Sequence, residues 1–389
     1  MLKAHYRRFL EARPGRLHFV AHSHHAWPDV TRDAMLQYWD DSARLADRKW
    51  EHVFGEIVPK AQAHLARLFG TKAPAQIAFS ASTHDFLVRL FSCFDEGRTL
   101  RVLTTDSEFY SFTRQAARLE EQGLLQVTRV AAEPFPTFED RFAAAAATGD
   151  FDLVLFSHVF FNASFVVEDL VRLVRAVRSP GAMVVIDGYH GPGAIPFSIA
   201  PLEDRVFYMG GGYKYLQVGE GFGFMHVPTG CTLRPRATGW FSQFGLLTVK
   251  PTGKVDYPDN GFRFWGATWD PTPAYRFNAV MDLYEREGVT PDKIHAHAHA
   301  LQEQFLSGLE RTRPRALDGS YLVTPRDLRR QGNFLTFRFE AAPRLHSALR
   351  ESNVETDLRG DRIRFGFGPY QDAADVDQLL GRLTSLRVE

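Results

Sequence analysis

The chain has 389 residues, 44% hydrophobic and 24% charged, which is enough for one large or two ordinary domains around a substantial core. Basic and acidic residues balance at 46 each, so no global field draws in nucleic acid or an anionic membrane. No apolar run is long enough to span a bilayer, the amphipathic start "MLKAHYRRFLEARPGRLHF" lacks the apolar core of a signal peptide, and the two cysteines, Cys93 and Cys231, form neither a disulfide framework nor a CxxC metal site.

The expected location is therefore a reducing cytoplasm. Pro28-Asp29 opens a stretch with helical apolar spacing, "PDVTRDAMLQYWDDSARL". Six short apolar runs then read as strands, at 76–80, 100–106, 125–132, 151–158, 182–188 and 205–211. Helical spacing falls between them near 84–94, 110–122, 137–147 and 167–178. This alternation predicts an α/β chain with a mostly parallel sheet covered on both faces. A ligand in such a fold sits at the carboxyl ends of the strands. After about residue 270 the pattern changes to helices at 272–287 and 291–312, strands near "NFLTFRF" and "DRIRFGF", and a last helix near 372–386. The expected division is a large domain over 31–289 and a smaller α+β domain formed by 1–30 and 290–389.

Polar residues gather where the predicted strands end. Ser82 and Thr83 follow "QIAFS", Phe109, Tyr110 and Ser111 follow "LTTD", and Ser157 and His158 close "LVLFSH". Asp187 closes "MVVID", His190 lies three residues on, and Lys214 follows "VFYMGGG". Each has an ordinary structural reading. Asp187 suits a turn cap, and Ser82-Thr83 suits both an N-cap and an anion-binding helix start. Phe109 by type is a core residue, and His190 alone is a structural hydrogen-bonder. "GGGYKY" lacks the GK[ST] of a P-loop. Taken together, they ask for one ligand. It has a phosphate at Ser82-Thr83, a flat ring against Phe109, a cationic ring nitrogen facing Asp187 and an aldehyde for Lys214. Pyridoxal 5'-phosphate has all four features. The glycines before Lys214 are expected to let the backbone bend tightly around it.

The chain resembles the fold type I pyridoxal-phosphate enzymes of the class V aminotransferase group, and within them the kynureninases. Kynureninases carry a D-x-x-H pair and a Y-K-Y-L stretch followed by glycines; here these are "DGYH" at 187–190 and "YKYLQVGEG" at 213–221. Weaker matches fall in the same order: "ASTHDFL" with Ser82 and Thr83, "FYSF" at 109–112, "FSHVFFNASF" with Ser157, "TGWFSQFG" with Trp240, and "IRFGFGPYQDAADV" with Arg364 and Tyr370. The resemblance runs from about residue 15 to 385. It implies a large domain with a mostly parallel seven-stranded sheet, a smaller C-terminal domain, and a homodimer. It further implies that Lys214 binds the cofactor aldehyde and moves protons. Asp187 would pair with the ring nitrogen, with His190 supporting it, and Phe109 would stack on the ring. Ser82, Thr83 and Tyr213 would hold the phosphate. Trp240, and Thr268 in "WGATWDPTP", would complete that site across a dimer interface, and Arg364 would clamp a substrate α-carboxylate.

Departures from the family pattern fall at the substrate side. Its "LDGNSLG" stretch is "FVAHSHHAWP" here, bringing His22, His24 and His25, and the acid of its F-P-S/T-D stretch is Phe112. The three histidines have no carboxylate or cysteine at metal spacing, so they are expected to line the pocket or face solvent, with no metal. The reaction expected is hydrolytic cleavage of the Cβ–Cγ bond of an amino acid bearing a γ-carbonyl. The alternatives are another class V reaction, such as transamination, elimination or racemisation, and a non-catalytic binding protein on the same fold. Cysteine desulfuration fits less well, because Cys93 and Cys231 lie outside the C-terminal region where that reaction's mobile cysteine resides.

Overall fold

The computed structural model describes residues 1–243 and 253–386. Its centre is a seven-stranded sheet built from β1 (Ile77–Ser80), β2 (Leu100–Thr105), β3 (Leu125–Val130), β4 (Leu153–Ser157), β5 (Met183–Asp187), β6 (Val206–Gly211) and β7 (Gly223–His226). The strand order is β1-β7-β6-β5-β4-β2-β3. All neighbours run parallel except β7, which is antiparallel to both β1 and β6. β4 and β6 are buried along their whole lengths, and β5 is buried up to Asp187. That explains their unbroken apolar sequences: both faces of a central parallel strand are covered. The six strands read from the sequence all form. β7 was not among them, because its four residues follow a glycine-rich loop with no turn signal of their own.

The longer helices are α1 (Val30–Leu45), α2 (Val58–Phe69), α3 (Thr83–Phe91), α4 (Tyr110–Glu121), α5 (Phe138–Thr148), α6 (Leu170–Arg175), α7 (Thr272–Arg286), α8 (Pro291–Thr312), α9 (Ala342–Glu351) and α10 (Ala373–Ser385). α6 is half the length its periodicity suggests, because "VFFNASFVVED" before it forms turns and isolated bridges instead. A second, antiparallel sheet joins β8 (Phe334–Arg338), β9 (Asp357–Arg359) and β10 (Arg362–Gly366) in the order β9-β10-β8. Around it lies a separate cluster of buried apolar residues that unites Leu17 and Phe19 with side chains from Ala298 to Leu383. The N-terminal segment is tied there by pairing Leu17 and His18 with Val354 and Glu355. Among the described residues no helix is long and apolar enough to cross a membrane.

Two glycines of the motif region earn their place by close approach. A Cβ on Gly211 would lie 2.5 Å from the Tyr189 ring, and one on Gly223 would lie 2.8 Å from the backbone of Ser82. The expected bend before Lys214 falls at Gly212 and Tyr213, not along all three glycines. Gly210 and Gly211 are extended in β6, and positive φ falls after the lysine instead, at Gln217, Gly219 and Gly221. The turn after Lys214 is held by Gln217, fully buried, which bonds Tyr6 and Tyr284 and donates its N–H to the Lys214 carbonyl.

Candidate active site

At the carboxyl ends of the central strands lies a cavity of about 570 Å³. Ser82, Thr83, Phe109, Ser157, Asp187, His190, Tyr213, Lys214 and Arg364 all line it. Strand register explains much of this convergence: Asp187, the last residue of β5, sits beside Ser157 of β4 and Met209 of β6. The Asp187 carboxylate accepts the Tyr189 N–H at 2.9 Å, so the turn-cap reading is also realised. Burial raises its pKa above the usual carboxylate value, and the Tyr189 N–H and the Lys214 charge pull it back.

Lys214 Nζ donates to His190 Nε2 at 2.6 Å and lies 4.6 Å from the Tyr189 ring centroid and 5.3 Å from that of Phe109. Burial, then the Arg364 charge, push its pKa down to about 7. His190 is buried, and desolvation with the cations Lys214 and Arg364 holds its pKa well below the usual histidine value. It is a neutral acceptor toward the amine, and its Nδ1 has no partner among the described residues.

A helix start also forms part of the cavity wall. The Ser82 side chain accepts from the Asp85 N–H at 3.4 Å as the N-cap of α3, whose first residue is Thr83. The positive end of a helix with free N–H groups attracts an anion. Tyr213 at the rim bonds His24 Nδ1 at 2.9 Å.

Arg364 is 2% exposed on β10, directly opposite Asp357 on β9. Its Nε donates to Asp357 Oδ1 at 2.9 Å, its Nη2 to the same oxygen at 2.5 Å, and its Nη1 to the Phe161 carbonyl. Asp361, nearer in sequence, is not its partner; the hairpin register selects Asp357. Asp357 also lies 3.3 Å from Arg359 Nη2, and all three residues face the cavity.

Trp240 and Thr268 do not line this cavity. The Trp240 indole N–H donates to Thr268 Oγ1 at 3.2 Å, and Trp240 is 46% exposed. Phe244 and Gly245, which end the segment quoted with Trp240, lie outside the described residues. Sequence reasoning missed three further groups. Tyr189 packs under the lysine amine. Asp357 orients Arg364; only a D-x-R before a short turn marks it. Glu108 is buried and accepts from Thr105 Oγ1 at 2.6 Å, Ser157 Oγ at 2.6 Å and the Ser157 N–H at 3.1 Å. Burial pushes its pKa up to about 7. Its place directly before Phe109 is the one signal in the sequence.

Comparison with known proteins adds an independent line. The kynureninase C-terminal domain family matches residues 294–383. The kynureninase of Pseudomonas fluorescens is 27% identical over 243 residues, covering 60% of this chain and 56% of that protein. The isopenicillin N epimerase of Streptomyces clavuligerus is 29% identical over 222 residues, covering 54% of each. The chain thus spans about half the length of the curated relatives it matches. Among solved structures, a lysine variant of C-DES with glycine covalently linked to its PLP cofactor superposes with a TM-score of 0.79 at 17% identity, over 98% of this chain and 99% of that one. The architecture is that of the fold type I pyridoxal-phosphate enzymes, and the sequence likeness is kynureninase-like.

Proposed function

We propose that this kynureninase-like chain is a pyridoxal-phosphate-dependent enzyme acting on an amino acid, and that hydrolytic Cβ–Cγ cleavage beside a γ-carbonyl is its reaction. The observation that carries the reading is the buried Lys214 amine, poised near neutrality between Asp187 and Arg364 in a cavity walled in part by a helix N-terminus. The side chains fit the cofactor feature by feature: a nucleophilic amine, a carboxylate at a strand end, an aromatic face in Phe109 and an anion cradle at Ser82-Thr83.

When bound, pyridoxal phosphate supplies an aldehyde for amines and a ring that takes up electron density from the α-carbon. With its pKa lowered to about 7, Lys214 would offer a free amine to the aldehyde and later move protons. His190 Nε2 holds the amine in place. Asp187 would favour a protonated ring nitrogen. Phe109 would pack against the ring and exclude water. Ser82, Thr83, Tyr213 and the start of α3 hold phosphate, and Ser157 is fixed at the cavity wall by Glu108. Arg364 has its Nε edge occupied by Asp357, which leaves N–H groups on Nη1 and Nη2 for an α-carboxylate. Trp240 and Thr268 serve the neighbouring site of a homodimer. A second reading, proton movement at Cα without bond cleavage, is favoured by the likeness to an epimerase.

Borohydride reduction of cofactor-loaded protein, followed by peptide mass spectrometry, tests the site: the adduct belongs on Lys214. Incubation with kynurenine tests the reaction and should release alanine. An adduct elsewhere removes the site assignment. Racemisation of an amino acid without alanine release from any γ-oxo substrate selects the second reading.

A further inference from the structure

The loop that departs most from the family pattern places His22 in the cavity wall. His22 is fully buried, yet neither ring nitrogen has a hydrogen-bond partner among the described residues. Its ring stacks on Phe334 with centroids 4.6 Å apart and planes 17° apart, and Phe334 also lies 5.7 Å from the Arg364 guanidinium and 5.4 Å from the His190 ring. The backbone leaves it no slack: a Cβ on Gly366 would come within 2.3 Å of His22 Nδ1. Burial of a polar ring without a partner is costly, and a chain tolerates it where a ligand completes the bond. Its two loop neighbours are placed differently. His24 bonds Tyr213 at the rim, and His25, which is not part of the cavity wall, bonds the Ala26 carbonyl at 2.7 Å through Nδ1 while its Nε2 has no partner among the described residues.

The surroundings select the ligand's chemistry. Arg364, His190, Lys214 and Arg359 all act on His22 as positive or potentially positive neighbours, and with burial they keep its ring neutral. A neutral imidazole donates one N–H and has one acceptor nitrogen. Beside these cations a ligand ammonium is disfavoured and an oxygen acceptor is favoured. The α-carboxylate already has Arg364. We propose that His22 is a specificity-determining residue whose N–H donates to a side-chain carbonyl oxygen of the amino acid substrate. This rests on the proposed amino acid site and its γ-carbonyl substrate, and adds the residue that recognises that carbonyl.

Norvaline and its γ-oxo counterpart differ only in that carbonyl, so their affinities isolate it. Binding is read as the initial amplitude of the absorbance change when cofactor-loaded protein is rapidly mixed with each amino acid, before turnover. Wild-type protein should bind the γ-oxo compound about tenfold or more tightly than norvaline, the size of one well-made hydrogen bond in a buried site. His22→Phe keeps the stack on Phe334 and removes both nitrogens. It should bring the ratio to about one while leaving norvaline affinity within about twofold. His22→Asn, smaller and able to donate, should retain part of the preference, and it serves as the second variant should the first fail to load cofactor. The proposal is overturned if the ratio survives in the variants, or if affinity for both compounds falls equally. Wild-type protein that binds neither amino acid would overturn the proposed function itself, an outcome distinct from lost discrimination.

Discussion

The amine of Lys214 should titrate near pH 7 in the protein without cofactor, and Arg364→Met should move that midpoint upward. A fall from the ordinary 10.5 to about 7 corresponds to about 5 kcal/mol of disfavoured charge. At pH 7 about half of the amine is then free, against roughly one part in three thousand for an ordinary lysine. Burial is the largest cause and survives the substitution. The Arg364 charge is the second, and its removal also leaves the Asp357 carboxylate paired with Arg359 alone, which favours the protonated amine. Together these should raise the midpoint by about one pH unit, the effect of a neighbouring charge screened as in a protein interior. Competitive acylation across a pH series, read on the Lys214 peptide by mass spectrometry, measures it directly. A wild-type midpoint above about 9, or one that Arg364→Met leaves unmoved, would refute the electrostatic argument. Stability follows with a defined sign. Because the folded value is depressed, the stability linked to this group is full above 10.5 and is lost as pH falls through about 7. Lys214→Met should therefore gain on wild type in urea melts toward neutral pH, by less than the full 5 kcal/mol because Asp187 loses its cation.

Asp187→Ala should weaken cofactor retention and nearly abolish turnover, since the ring nitrogen loses the carboxylate that favours its protonated form; normal turnover in that variant would leave Asp187 a turn residue only. Asp357→Ala should destabilise the fold by about 3–5 kcal/mol, because the Arg364 side chain, 3% exposed, would be left charged and unpaired. Urea denaturation checks this, and a cost below about 1 kcal/mol would mean the pair behaves like a surface contact. Light scattering should find a homodimer, and Trp240→Ala should weaken phosphate-dependent cofactor binding without altering Lys214 titration; a fully active monomer would exclude the role given to Trp240 and Thr268.

Much of the site could be read along the chain because parallel α/β architecture makes position local. A residue ending an apolar run lies at the carboxyl edge of the sheet, so Ser157, Asp187 and Lys214 could be placed in one crevice before any contact was known. Helix starts behave likewise, and Ser82 is both N-cap and cavity wall. Of the glycines before Lys214, read as a bend, Gly212 does lie in the turn, whereas Gly210 and Gly211 act sterically and admit the Phe224 and Tyr189 rings. A sequence marks that a glycine is present, and only the packed neighbours reveal whether φ or contact demands it.

The amino-acid order by itself determined the alternating elements, the strand-end chemistry and, through "DGYH" and "YKYL", the kynureninase-like character. These rest on local periodicity and on residue types whose chemistry is intrinsic. Tertiary structure alone decided that Arg364 is held by Asp357, that Glu108 supports Ser157, that Trp240 pairs with Thr268 away from the cavity, and that His22 stands buried without a hydrogen-bond partner among the described residues. Each of these depends on hairpin register or on segments far apart in the chain meeting in three dimensions. A carboxylate seven residues from an arginine has no preferred direction until antiparallel pairing sets the two opposite each other, and a histidine's burial is set by everything packed around it.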